Sequence, residues 1–266
     1  MPKVAIVAAL EREVSGLTRS WSRVERQHDG RRFIFFERDE IVIVCGGIGM
    51  EAARRAAEAV IALYHPTLLQ SVGFAGALDA DLRVGNLFVP ALVIDARDGS
   101  RIEIEGAPGL ERGSRKERGS LVTFAAVAGT QQKASLAQAY GAQAVDMEAA
   151  GVAAAARAQG IGFAAMKVIS DELNFEMPET GRFIAADGRF KTANFAAFVV
   201  LRPWLWRRTA TLAANSRKAA RVLCEHIDHY WQELSRPSNP VAASAATAQP
   251  EPQPAAVSGF HVGGRK

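Results

Sequence analysis

"IVIVCGGIGMEAARRAAEAVIAL", Ile41 to Leu63, opens with four β-branched residues, passes through Gly46, Gly47 and Gly49, and continues from Met50 with apolar residues at helical spacing. A short unbroken apolar run bounded by glycines reads as a strand buried on both faces, and the pattern after it reads as a helix packed against that strand. The same grammar recurs along the chain. "VAIVAAL", "RRFIFFE", "LLQSVGF", "NLFVPALVI", "SLVTFAAV" and "GFAAMKVIS" read as further strands. Helical patterns cover Met50–Leu63, Gln131–Tyr140, Met147–Gln159 and Lys191–Val200, and a longer one runs from Trp204 to Leu234 with Pro203 at its start. Strands alternating with helices predict an α/β fold.

The composition narrows the class. A chain of 266 residues with 48% hydrophobic and 23% charged residues is ordinary for a globular protein, which excludes wholesale disorder and a polytopic membrane class. The apolar start "MPKVAIVAAL" is short and runs directly into Glu11, Arg12 and Glu13, so it reads as a first strand and not a signal peptide. No run approaches the roughly 18 apolar residues of a spanning helix. With only Cys45 and Cys224, and nothing marking them as a pair, a reducing cytoplasmic location is expected.

Residues 1–234 are expected to form one catalytic domain. From Arg236 the chain turns to Pro, Ala and Ser, which cannot bury enough surface to offset ordering entropy, so 235–266 is expected to be a disordered tail. "EGAPGLERGSRKERG", Glu105–Gly119, is expected to be a surface loop. The net charge of +4 is unevenly spread: from Gly188 to Cys224 there is no acid, while Arg189, Lys191, Arg202, Arg207, Arg208, Arg217, Lys218 and Arg221 are basic and interleave with "FAAFVVLRPWLWRR". Three readings are open for 198–221: a packed helix with a basic outer face, a peripheral membrane contact, or an anionic-ligand surface. The basic residues form no nucleic-acid module.

Three acids stand at predicted strand ends: Glu13 after "VAIVAAL", Glu148 after "AQAVDM" and Asp171 after "AAMKVIS". Ligands of open α/β sheets bind beyond the carboxyl ends of strands, so these carboxylates can share one pocket; each can equally cap a helix. "CGGIGMEAA" places Gly47 where backbone N–H groups face an anion or hydroxyl, without being a dinucleotide fingerprint. "GFAGAL" lets a ligand approach the backbone closely, or is a tight turn. Cys224, His226 and His229 lie within about one helical turn, but no fourth ligand accompanies them and no metal is expected. Cys45 reads as a small core residue.

Taken in order, "AALEREV", "GGIGMEAA", "SVGFAGALDADLRVGNLFVP", "AVDMEAAGVA" and "KVISDELN" resemble the nucleoside phosphorylase and nucleosidase superfamily, especially its methylthioadenosine/S-adenosylhomocysteine nucleosidase branch, over roughly Val4–Phe198. The resemblance implies a single domain with a central mixed β-sheet flanked by helices. It implies that Met147 and Glu148 bind ribose, that Asp171 contacts the purine and protonates it, and that Glu13 deprotonates the attacking water. Val127 and Ser170 would sit at the base, and Gly47, Phe74 and Lys167 in the nucleophile pocket. A carboxylate suits the ribose because it accepts bonds from vicinal hydroxyls and lies near a sugar that becomes positive. A general acid suits the purine because the base leaves poorly unless protonated.

Two positions depart from the nucleosidase pattern. Phe74 replaces a small hydroxyl residue in the turn, and Lys167 replaces an arginine four residues before the acid; neither is an equivalent. The "G-D-P-x-R" of the phosphorylases is missing, which favours water over phosphate as nucleophile. The apolar turn and the "RPW", Arg-rich end resemble hopanoid-biosynthesis members of the superfamily, which implies a bulky or lipid-linked adenosine substrate. The expectation is therefore an adenine-releasing nucleosidase, with a purine nucleoside phosphorylase or a non-catalytic nucleoside-binding protein as alternatives, no cofactor, and a homo-oligomeric assembly.

Overall fold

Val4, Ile6 and Ala8 of strand β1 (Val4–Ala8) point into one apolar cluster while Ala5 and Val7 point into another, so the strand is buried on both faces, as its unbroken apolar run requires. The computed structural model describes residues 4–104 and 119–234. Residues 105–118 of the expected loop and the expected tail 235–266 lie outside the described residues.

After β1 come α1 (Glu11–Thr18), β2 (Ser22–His28), β3 (Arg31–Arg38), β4 (Ile41–Cys45), α2 (Met50–Tyr64), β5 (Leu68–Ala77), β6 (Leu87–Phe88), β7 (Leu92–Asp95) and β8 (Arg101–Glu103). The second described segment holds β9 (Ser120–Thr123), α3 (Thr130–Tyr140), β10 (Ala144–Asp146), α4 (Ala149–Ala158), β11 (Gly162–Asp171), α5 (Thr192–Val200) and α6 (Pro203–Leu234). One mixed sheet runs in the order β2-β3-β4-β1-β5-β10-β9-β7-β8, and β11 pairs with β5 and β6. Helices cover both faces. On one, Ala53, Ala56, Ala57 and Val60 of α2 and Val152, Ala155 and Ala156 of α4 close over β1, β4 and β5. On the other, Val14 and Leu17 of α1 pack with Leu223 and Ile227 of α6 over Ile6, Ile43 and Met166. Burying each of the larger side chains contributes about 1.5–3 kcal/mol. The alanines of α4 leave room for α2 to approach closely, which is why that helix carries so few large residues.

Strand β5 is the pivot that positions the site. Its first half lies parallel to β1 (Val4↔Leu68 to Val7↔Ser71), and nearly its whole length lies parallel to β11 (Gly162↔Leu68 to Asp171↔Gly76). At its far end β10 runs antiparallel to it, with Val145 opposite Gly76. The exits of β1, β10 and β11 therefore meet around residues 73–76.

Three sequence expectations change. "NLFVPALVI" is two strands, because Pro90 has no N–H to donate; β6 pairs with β11 and β7 with β8 and β9. "SLVTFAAV" is strand only as far as Thr123. The structure also adds α1, the largely exposed strand β2 and the short strand β8.

Candidate active site

The turn sequence "GFAGAL" is the end of β5, and it forms the floor against which Glu13 and Asp171 lie. A Cβ at Gly73, whose φ is +142°, would lie 3.1 Å from Glu13 Oε2, and one at Gly76 would lie 2.9 Å from Asp171 Oδ2. Side chains at either position would push a carboxylate away. Glu13, in the first turn of α1, turns back so that Oε2 accepts from the N–H groups of Ala9 and Leu10, each at 3.2 Å. Burial raises its pKa above the ordinary glutamate value, against the pull of those N–H groups and of Lys167.

Glu148 comes from the exit of β10. Its Oε1 accepts from the Gly49 N–H at the start of α2, at 2.9 Å, and its Oε2 from the Met147 N–H at 3.2 Å. Burial, then the neighbouring Asp146 charge, pushes its pKa up to about 7. Asp146, which also lines the cavity, has both carboxylate oxygens engaged by the fold: Oδ1 accepts from Thr123 Oγ1 at 2.7 Å and Oδ2 from the Ala149 N–H at 2.8 Å, which caps α4. Lys167 Nζ lies 2.9 Å from that same Oδ2 and donates to Ser71 Oγ at 3.0 Å. Burial opposes the Lys167 charge, but Asp146 and Glu148 outweigh it and raise its pKa.

Asp171 ends β11. Ser170 Oγ donates to its Oδ1 at 2.7 Å, and Lys133 Nζ from the first turn of α3 lies 2.5 Å from its Oδ2. Together these elements wall a cavity of about 600 Å³. Glu13, Phe74, Val127, Met147, Glu148, Ser170 and Asp171 all line it, alongside Lys133, Arg12 and Arg217. Met177, Phe190, Phe195 and Leu212 give it an apolar side toward α5 and α6.

Two residues expected at the nucleophile pocket do not line this cavity. Lys167 is fully buried beneath it, because Asp146 and Ser71 take its ammonium group. Gly47 lies in a neighbouring cavity, packed against Asp187 and Gly188. Lys133 carried no sequence signal, since a lone lysine in a polar helical stretch reads as solvated. Cys224 Sγ points at the Glu13 carbonyl while His226 Nδ1 bonds the Val222 carbonyl, so the two diverge. Among the described residues no group of three or more His, Cys, Asp or Glu is placed to hold a metal. Cys45, expected in the core, is only partly buried at its edge and lines the cavity that holds Gly47; desolvation by its surroundings pushes the thiol pKa up.

Residues 3–113 and 109–201 match the family model of the phosphorylase superfamily. Two curated 5′-methylthioadenosine/S-adenosylhomocysteine nucleosidases are similar in sequence. That of Buchnera aphidicola subsp. Schizaphis graminum is 28% identical over 91 residues, 33% of this chain and 39% of that protein. That of Halalkalibacterium halodurans is 32% identical over 92 residues, 34% of this chain and 40% of that protein. The matched region thus spans about two fifths of these curated relatives. Among solved structures, S-adenosylhomocysteine nucleosidase from Streptococcus pyogenes in complex with 5-methylthiotubericidin superposes with a TM-score of 0.63 at 18% identity, covering 88% of this chain and 98% of that one. The nucleosidase from Colwellia psychrerythraea in complex with adenine gives 0.61 at 20% identity, covering 88% and 96%. At these identities the likeness is one of fold.

Proposed function

The chain belongs to the phosphorylase superfamily, and from that premise we propose that it is a nucleosidase that hydrolyses the N-glycosidic bond of an adenosine-type nucleoside and releases adenine. The observation that carries this reading is the meeting of Glu13, Glu148 and Asp171 in one cavity, with Glu13 and Asp171 seated against Gly73 and Gly76 of β5. In it Glu148 accepts bonds from the ribose hydroxyls and Met147 packs on the sugar. Asp171 delivers a proton to the purine while Glu13 takes one from the attacking water, so base and acid act on opposite ends of an oxocarbenium-like centre. Val127 and Ser170 border the base. Adenine release followed by chromatography, over a panel of adenosine derivatives with and without phosphate, tests it: strict phosphate dependence makes the protein a phosphorylase, and binding without turnover makes it a nucleoside-binding protein.

The substrate we propose is bulky or lipid-linked, of the adenosylhopanoid kind. What supports this is the apolar side of the cavity toward α5 and α6 and the surface next to it. Val200, Leu201, Trp204 and Trp206 are 66%, 75%, 71% and 54% exposed at the junction of α5 and α6, far more than large apolar side chains normally are. Arg202, Arg207 and Arg208 flank them. This ridge suits contact with an anionic membrane surface, from which a lipid-linked nucleoside would enter. Among the described residues no helix is long and apolar enough to cross a membrane, so the proposed contact is peripheral. The proposed assembly is a homo-oligomer, which the mass of the protein in solution tests.

A further inference from the structure

Lys133 is a fully buried lysine whose ammonium group lies at the base-binding end of the cavity. Its three N–H donors meet three acceptors: Asp171 Oδ2 at 2.5 Å, the Glu172 carbonyl at 2.7 Å and the Asp171 carbonyl at 3.4 Å. Ser170 holds the other carboxylate oxygen, so Asp171 is fixed at both ends with a proton-bearing nitrogen on one of them. A buried ammonium is costly to retain. A polar or apolar side chain would tie α3 to the end of β11 without that cost, and this one contacts the residue that must pass a proton to the purine.

Resting on the nucleosidase reading above, we propose that Lys133 is the positioning residue behind Asp171 and the source of the proton that reaches the base. As the C1′–N9 bond lengthens, an Nζ–H bond breaks and an Oδ2–H bond forms; that bond then breaks as N7–H forms. The electron pair of the C1′–N9 bond stays with the purine, which leaves as neutral adenine. Lys133 is left as a neutral amine, and the proton that the attacking water gives to Glu13 returns to it through solvent once the products leave.

Arginine separates this role from a structural one, because it keeps the charge and the donors but does not release a proton inside a protein. With whichever of adenosine or 5′-methylthioadenosine the parent protein turns over, K133R is expected to lose on the order of 10²-fold in kcat with KM within about threefold. With 4-nitrophenyl riboside, whose leaving group departs as a stable anion, K133R is expected to stay within about threefold of the parent. If K133R keeps its kcat for adenine release, or loses both leaving groups equally, the proposal is overturned. Should the larger guanidinium unfold the protein, K133M is read by the same split between leaving groups. A parent protein that releases no adenine from any nucleoside removes the nucleosidase reading itself, a separate outcome from either variant's.

Discussion

Lys167 Nζ and Asp146 Oδ2 are 2.9 Å apart, and neither side chain is reached by solvent. The same carboxylate caps α4 through the Ala149 N–H, and Thr123 Oγ1, which donates to it, also accepts from the Ala150 N–H. The pair therefore sets where α4 starts, and with it where Glu148 stands. K167M leaves Asp146 as an uncompensated buried charge and is expected to cost about 3–5 kcal/mol in urea unfolding. A loss under about 1 kcal/mol would mean that the pair is not formed.

Glu148 makes stability depend on pH. Its pKa is raised from the ordinary 4.5 to about 7, so within that window the folded chain binds more protons than the unfolded one, and stability falls as pH rises through it. Glu13 is raised by burial as well and adds to the slope in the same direction. E148Q removes its share: compared by thermal unfolding, it should gain on the parent between about pH 5 and about pH 8. A gap that stays constant across that range would show that Glu148 is not buried as described.

Phe74 lines the cavity, and under the proposed function it stands where a hydroxyl would steady the water. F74S is expected to lose about 1–3 kcal/mol of stability, since Phe74 is only half-buried against the core around Val72 and Met166, yet to raise kcat/KM on 5′-methylthioadenosine about tenfold, the worth of one hydrogen bond. Equal or lower turnover would place the water elsewhere.

Most of the fold was legible because β1 and β4 are buried on both faces and so print unbroken apolar runs, and β5 and β11 are buried nearly as fully with only Gln70, Ser71, Lys167 and Ser170 as polar interruptions before their acidic or glycine-rich ends. Strand β2, "SRVERQH", was not: its side chains are mostly exposed, its order comes from pairing with β3, and no alternation records that. The three acids were legible through their places at strand exits and through the family resemblance. Their neighbours were not, because a charge buried by a partner distant in sequence has no local signature. Lys133 meets Asp171 only through tertiary packing, and Lys167 is withheld from the cavity by Asp146 and Ser71.

The ridge at the α5–α6 junction gives a further expectation. Replacing Trp204 and Trp206 by Ala should lower co-sedimentation with phosphatidylserine-containing vesicles on the order of tenfold, and salt should weaken what remains. Vesicle binding that is unchanged in the double variant, or missing in the parent, would separate the ridge from membranes.

The most direct test is adenine release in phosphate-free buffer by the parent, E13Q and D171N. The parent is expected to liberate adenine and the free sugar; each variant is expected to lose about 10²–10⁴-fold, E13Q with thermal unfolding close to the parent's and D171N with a lowered one, because it leaves the buried Lys133 ammonium without its carboxylate. Adenine that forms only when phosphate is added, or variants as active as the parent, would contradict acid and base catalysis by two carboxylates across one glycosidic bond.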